Sequence, residues 1–290
     1  MIKIGEITKS APVRKLFALL AQIPRGWRLW TAAREEYQRH PPVLCNSFPK
    51  SGTHLMSQVL AALPGVKGYG RFLASRPSIT FRKRSDKSVR RIMASVAPGE
   101  LLRAHLVHHD RYARWARKMN FCQFFIYRDP RDVAVSEAHY LSHMNRWHRL
   151  HGCFRSLDSM EDRISLAILG DSFVPVALDY PDIATRFARY RGWIHDESAF
   201  AVRFEELLPP KLQRISEMVE FYAKVAELEM DSEAVIRDSM ANIAPKQSHT
   251  FREGGSGGWR EDFTERNKEE FKEVAGQLLI ELGYESDGCW

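Results

Sequence analysis

The sequence predicts an α/β fold, a single domain with a central parallel sheet flanked by helices, and three observations carry that prediction. Short β-rich runs stand at 43–48 (VLCNSF), 100–105 (ELLRAH), 121–127 (FCQFFIY) and 199–204 (AFAVRF), each followed by polar turn residues and mostly by a helical pattern. Strands that alternate with helices make parallel sheets covered on both faces. Second, reactive side chains stand where each run ends, at Lys50, His105, Arg128 and Glu205, and such sheets hold ligands at the carboxyl ends of their strands. Third, 290 residues with 44% hydrophobic and 27% charged side chains suit one soluble α/β domain over residues 1–290.

Taken in chain order, residues 12–37, from PVRKLFALL to WRLWTAAREEY, read as one or two amphipathic helices with Trp27 and Trp30 beside Arg25 and Arg28. Packing on the domain's edge and peripheral contact with a membrane are both open to such a segment. After the first strand, Leu55, Met56, Val59, Leu60 and Leu63 mark one face of a helix that Pro64-Gly65 ends. Residues 137–198 form a less regular region, rich in His, Trp and Arg, that reads as helices with a lid over an acceptor site. The tail at 265–283, ERNKEEFKEVAGQLLIELG, has helical spacing and stops at Gly283. There is no internal repeat.

No apolar run reaches the roughly 18 to 20 residues of a membrane span, and MIKIGEITKS lacks the apolar core of a signal peptide. A cytoplasmic protein is expected. Cys45, Cys122, Cys153 and Cys289 form no CxxC pair, so reduced thiols are expected rather than zinc ligands or disulfides. His108 and His109 invite a metal reading, but no third ligand comes at a recognisable spacing. The net charge of +7 admits an anionic cofactor, an anionic acceptor, a membrane surface or nucleic acid. Its densest cluster, Arg82-Lys83-Arg84 with Lys87, Arg90 and Arg91, reads as the solvated face of a helical segment.

Two constellations carry chemistry. In SFPKSGTH (47–54) a strand-to-helix turn offers a lysine, a glycine, hydroxyls and an imidazole. A helix amino end presents unpaired N–H groups and partial positive charge, so the turn is a phosphate cradle by position. The lysine precedes the glycine by two residues, which is not the GxxxxGK[ST] order of a Walker A loop. The same turn also reads as a plain helix cap through Ser51 or Thr53. In YRDPRDVAVSEAHY (127–140) Arg128 ends a strand, Asp129 or Asp132 caps the next helix behind Pro130, and Ser136 lies two turns in. An arginine fork with a hydroxyl suits a phosphate monoester, and a surface ion pair between Arg128 and Asp129 is the plainer alternative.

FPKSGTH, YRDPRDVAVS and a third segment, FREGGSGGWREDFT (251–264), together resemble the signatures of the PAPS-dependent, cytosolic-type sulfotransferases, in that family's order. The resemblance implies a P-loop-like sheet, PAPS as cofactor and PAP as product. It places Lys50, Ser51, Gly52, Thr53 and His54 on the 5′-phosphosulfate end, with Lys50 near the bridging oxygen, and Arg128, Ser136, Arg252 and Gly254 on the 3′-phosphate. The family's Lys-Thr-His stretch is Arg103-Ala104-His105 here, giving His105 the role of general base and Arg103 the lysine's position. Histidine's ordinary pKa suits proton removal from an acceptor hydroxyl, and a positioned cation stabilises charge on a leaving oxygen. Two positions depart from the pattern: Glu253 stands for a lysine, and Phe204 for a tyrosine that can bond the adenine. Ser239 is the candidate for the family's Ser/Thr-x-Phe adenine contact. The family's dimer motif is not evident.

The expected activity is transfer of a sulfuryl group from PAPS to a hydroxyl or amine of a small-molecule acceptor. No metal is needed, nucleic acid is not an expected partner, and the oligomeric state is open. The acceptor pocket is expected from 137–160 and 66–85, where Tyr140, His139, His143 and Trp147 either wall it or pack the core. Alternatives are a glycan or lipid-headgroup sulfotransferase, a nucleotide kinase or NTPase on the same fold, and a non-catalytic module that binds nucleotide or nucleic acid.

Overall fold

The computed structural model describes residues 22–173, 178–208, 212–243 and 255–290. Its centre is a sheet of five strands, β1 (Val43–Ser47), β2 (Lys67–Ala74), β3 (Glu100–His105), β4 (Cys122–Tyr127) and β5 (Ala199–Arg203), in the order β2-β3-β1-β4-β5. Every pairing is parallel, and the predicted α/β class is borne out. Four of the strands fall on the predicted runs. The fifth, β2, lies in a stretch read only as part of the acceptor region. KGYGRFLA carries two glycines and two cations and buries only Tyr69 and Leu73, with a register shift between Gly68 and Phe72. It is an edge strand, so it lacks the two-sided apolar pattern that marks the inner ones.

The inner strands are mostly buried because both faces are covered. Leu44, Phe125 and Tyr127 enter one core, and Val43, Cys45, Phe124 and Ile126 enter the other. Among the described residues two helices precede the sheet, α1 (Gln22–Thr31) and α2 (Arg34–Arg39); residues 12–21 of the predicted amphipathic segment lie outside the described residues. Helix α1 is tied to the sheet by Arg25 on the buried Glu100 at 2.9 Å and by Gln22 on the Tyr69 carbonyl at 2.9 Å, while Trp27 and Trp30 stay exposed.

Helix α3 (Thr53–Leu60) follows β1 and packs Leu55, Met56, Val59 and Leu60 into the second core. The basic cluster divides at the start of α4 (Asp86–Ala94): Arg82 to Arg84 precede the helix. Then come α5 (Asp110–Lys118) and α6 (Pro130–His139), which runs on into a π-helical turn, Tyr140–Met144. The region read as a lid holds α7 (His151–Arg155), α8 (Met160–Leu169) and α9 (Ile183–His195). After β5 come α10 (Leu212–Ala226), α11 (Ser232–Ala241), α12 (Trp259–Asp262) and α13 (Glu265–Glu281). Helix α13 ends ahead of Gly283, whose φ of 69° allows the chain to turn.

The chain leaves β1 toward β2 on one side and leaves β4 toward β5 on the other, so the connections diverge between these two neighbours. That divergence opens a crevice at their carboxyl ends. Among the described residues no helix is long and apolar enough to cross a membrane, and no group of three His, Cys, Asp or Glu residues stands together to hold a metal.

Candidate active site

A cleft of about 780 Å³ opens at that crevice. Lys50, Gly52, Thr53, His54, Arg103, His105, Arg128, Ser136 and Phe204 all line it, although they come from the ends of four strands and two helices. Ser51 is buried in the same turn. Arg252 and Gly254, with the divergent Glu253, lie outside the described residues.

The turn after β1 is built to leave donors unused. Gly52 is the N-cap of α3 with φ 95°, and no side chain caps this helix. The first N–H groups of a helix have no partner within it, so α3 presents them bare toward the cleft. The plain-cap alternative fails here, because both hydroxyls are elsewhere. Thr53 Oγ1 is 2.6 Å from Ser47 Oγ, and the Ser51 hydroxyl is buried without a partner among the described residues. Glycine is required at 52 on two counts. The left-handed φ strains any other residue, and a Cβ would stand 2.5 Å from a ring carbon of Phe204. Lys50 also has a positive φ, 66°, a conformation that costs a non-glycine residue about 1–2 kcal/mol and collects at functional sites. Its ammonium lies 3.8 Å above the Tyr140 ring. Burial pushes the Lys50 pKa down to about 8, against the pull of Glu137 and with the push of Arg128.

At the mouth of β4, Arg128 stacks on the Phe204 ring at 4.6 Å. It donates to Asp132 at 3.1 Å and to the Gly255 carbonyl at 2.8 Å, while its Nε is buried and unpartnered among the described residues. The predicted capping resolves onto Asp129, which accepts from Arg131 N–H, with Pro130 in the first turn. Asp132 has another task. Its carboxylate accepts from the N–H groups of Gly257 and Trp259 at 2.8 and 3.0 Å, clasping the third signature segment against α6. Sequence reasoning missed this clasp; its signal was the i, i+4 spacing of Arg128 and Asp132. Glu205, at the mouth of β5, faces the fold rather than a ligand. It accepts from Asp129 N–H at 3.1 Å and from the Tyr284 hydroxyl at 2.9 Å.

His105 and Arg103 are two residues apart on β3 and so share one face of the sheet. His105 Nδ1 is 3.2 Å from the Ser47 carbonyl and 2.9 Å from Ser47 Oγ. A carbonyl only accepts, so Nδ1 carries the proton and Nε2 keeps its lone pair. Burial pushes the His105 pKa down to about 4, assisted by the charges of Lys50 and His54 and opposed by the backbone bonds. The ring is therefore neutral and ready to accept a proton at neutral pH. Through Ser47 it joins a short line of hydroxyls reaching Thr53, which couples the β3 histidine to the turn after β1.

Beyond His105 the cleft is aromatic. The Phe72 ring lies 4.8 Å from the imidazole, edge to face, and Phe81 packs 5.5 Å from His148. Tyr140 and His139 line the cleft, whereas His143 and Trp147 do not. His143 bonds Ser142 at 2.7 Å, and Trp147 is 83% exposed, so neither packs the core. Ser239 is buried on α11 and donates to the Val59 carbonyl at 3.3 Å, outside the cleft. His108 pairs with Asp196 at 3.5 Å, and His109 caps α5.

The geometry can hold a ligand carrying anionic groups at two places, on the bare turn and beside Arg128, and can remove a proton between them and the aromatic walls. Comparison with known proteins bears on what such a site belongs to. Among solved structures the chain is similar to a mouse sulfotransferase complexed with PAP, at 17% identity and a TM-score of 0.55 over 89% of this chain and 92% of that one. It is also similar to retinol dehydratase in complex with androsterone and the inactive cofactor PAP, at 14% identity and a TM-score of 0.55 over 82% and 80%. Retinol dehydratase with retinol and PAP gives 15% identity and a TM-score of 0.52 over 82% and 81%. At these identities the likeness is one of fold. No curated protein matches the sequence. The family model for the sulfotransferase domain matches residues 40–283, which take in the whole sheet and all three signature segments, and the chain belongs to the sulfotransferase family.

Proposed function

We propose that this sulfotransferase moves a sulfuryl group from PAPS to a hydroxyl, or an amine, of a small-molecule acceptor by in-line displacement, with His105 as general base. The observation that carries the reading is the uncapped amino end of α3. Its N–H groups, the strained Lys50 and the Ser51 hydroxyl, which has no partner among the described residues, are donors suited to an incoming anion. Arg128 and Ser136 stand beyond the neighbouring strand, which fits a nucleotide charged at both its 5′ and 3′ ends. PAPS supplies an activated sulfuryl group on a phosphate leaving group. Lys50 holds positive charge where that leaving oxygen develops charge, and the α3 donors fix its orientation. His105 Nε2 takes the acceptor's proton, Arg103 adds a second cation on the same face, and Phe204 offers a ring for the base to pack on.

The aromatic walls beyond His105 support a small acceptor over a glycan, as do the androsterone and retinol held by the retinol dehydratase neighbours. The four unpaired thiols suit a cytoplasmic setting. The test compares thermal unfolding with PAP and with ATP–magnesium, on wild type and Lys50→Ala. PAP at 100 times its dissociation constant adds about 2.7 kcal/mol, a rise of several degrees, which Lys50→Ala loses. Stabilisation by ATP–magnesium instead, or by neither, overturns the cofactor assignment.

A further inference from the structure

The acceptor end of the cleft carries more positive charge than its own carboxylates neutralise. Arg76 follows β2, two residues beyond Ala74, whose register partner is His105. Arg189 comes from α9, and both arginines line the cleft. They converge on one carboxylate, Asp179, with Arg189 at 2.7 Å and Arg76 in closer contact. Two guanidiniums against one carboxylate leave one positive charge over. The pair is close enough for each to feel the other: Arg76 is pushed below its ordinary pKa by burial and then by Arg189. Asp179 takes only some of the ten N–H donors that two guanidiniums present.

What lies between this pair and the general base is flat and apolar. Tyr190, next to Arg189 in the chain, sets its ring 5.3 Å from Phe48, which leads into the turn after β1. Phe72 and Phe81 supply the facing walls. His148 adds no further positive charge, since burial pushes its pKa down to about 4. Arg76 comes two residues after Ala74, the position that pairs with His105, just past the end of β2.

We propose that the acceptor is an anion: a small, flat hydroxyl compound whose carboxylate, phosphate or sulfate group docks on Arg76 and Arg189 while its hydroxyl faces His105. The proposal rests on the sulfotransferase reading of the same cleft and adds the charge of the substrate. Arginine forks bind such groups with paired donors.

The experiment titrates the protein calorimetrically with PAP, then titrates the PAP complex with 4-ethylphenol and with 4-hydroxyphenylacetate. The two phenols share ring and hydroxyl and differ by the carboxylate. The acid binds at least about tenfold more tightly in the wild type. Arg76→Gln and Arg189→Gln each bring that ratio toward one. Arg191→Gln, on the same helix but paired with Glu281 outside the cleft, leaves the ratio in place. The PAP affinity of every variant reports that its fold and cofactor site are intact. Equal binding, no binding of either phenol, or a preference that survives both arginine substitutions overturns the anionic acceptor while leaving the cofactor reading standing. Failure of the wild type to bind PAP takes down both.

Discussion

At the scale of single residues, the proposed reaction asks His105 to be neutral, correctly tautomerised and aimed, and burial together with two groups of Ser47 supplies those properties. Burial supplies the neutral ring, the Ser47 carbonyl fixes the proton on Nδ1, and the Ser47 hydroxyl adds a second contact. These contributions separate by mutation. His105→Ala keeps PAP binding and loses about 10²–10⁴ in kcat, the range for a general base. Ser47→Ala keeps the carbonyl and loses the hydroxyl's contacts with His105 and Thr53, so kcat falls by about tenfold or less. Single-turnover kinetics at saturating PAPS, with PAP affinity measured alongside, checks both. A His105→Ala enzyme with wild-type kcat removes the histidine from the chemistry.

At the scale of elements, the site depends on β5 being seated under the turn that follows β1. Phe204, the first residue beyond β5, carries Arg128 over its ring and stands close against Gly52. Gly52→Ala sets a Cβ 2.5 Å from that ring and 3.5 Å from Ile126, at a φ of 95°. The expected result is a loss of about 1–3 kcal/mol in stability, together with loss of the PAP-induced rise in unfolding temperature. Denaturant unfolding and the thermal shift read the two effects separately. A Gly52→Ala protein that PAP stabilises as it does the wild type would show the turn to be more tolerant than its geometry implies. A second element-level joint lies at Arg131. Its buried guanidinium is bidentate on Asp129, paired with Glu285 and set over the rings of Trp259 and Trp290 at 4.0 and 4.5 Å. It locks the carboxyl-terminal segment onto the start of α6, where Arg128 is presented.

At the scale of the whole molecule, burial of neutral imidazoles makes stability fall in acid. His105 and His148 are each pushed down to about 4, whereas the unfolded chain protonates them near 6.5. As pH drops the unfolded state binds protons that the folded state refuses. The stability tied to the neutral rings is complete above about pH 6.5 and drains away toward pH 4, by about 2 kcal/mol per histidine between pH 7 and pH 5. Urea unfolding at those two pH values measures the loss. His148→Gln, which leaves the base in place, should remove about half of the histidine contribution. If it leaves the pH dependence unchanged, His148 is not the source.

The α/β class, four of the five strands and the residues of both turns proposed to hold anions were legible in the sequence, because each rests on local order. An apolar run buried on both faces needs no partner to be recognised, and SFPKSGTH and YRDPRDVAVS place their donors by chain connectivity alone. Strand β2 was not legible, since an edge strand is defined by what lies beside it, and its glycines and cations carry no core pattern. Nor was the clasp of Asp132 on residues 257 and 259, the tautomer of His105, or the removal of Ser239, His143 and Trp147 from the cleft. Each depends on contacts across tens of residues. The convergence of Arg76 and Arg189 on Asp179 belongs with them: Arg76 is more than 100 residues from Arg189 in the chain, and the two meet only because the end of β2 and the middle of α9 face the same cleft. The sequence by itself determined the class of chemistry, which needs residue types in short order. Only the tertiary structure decided the charge and shape offered to the acceptor, which depend on which distant side chains are brought within reach.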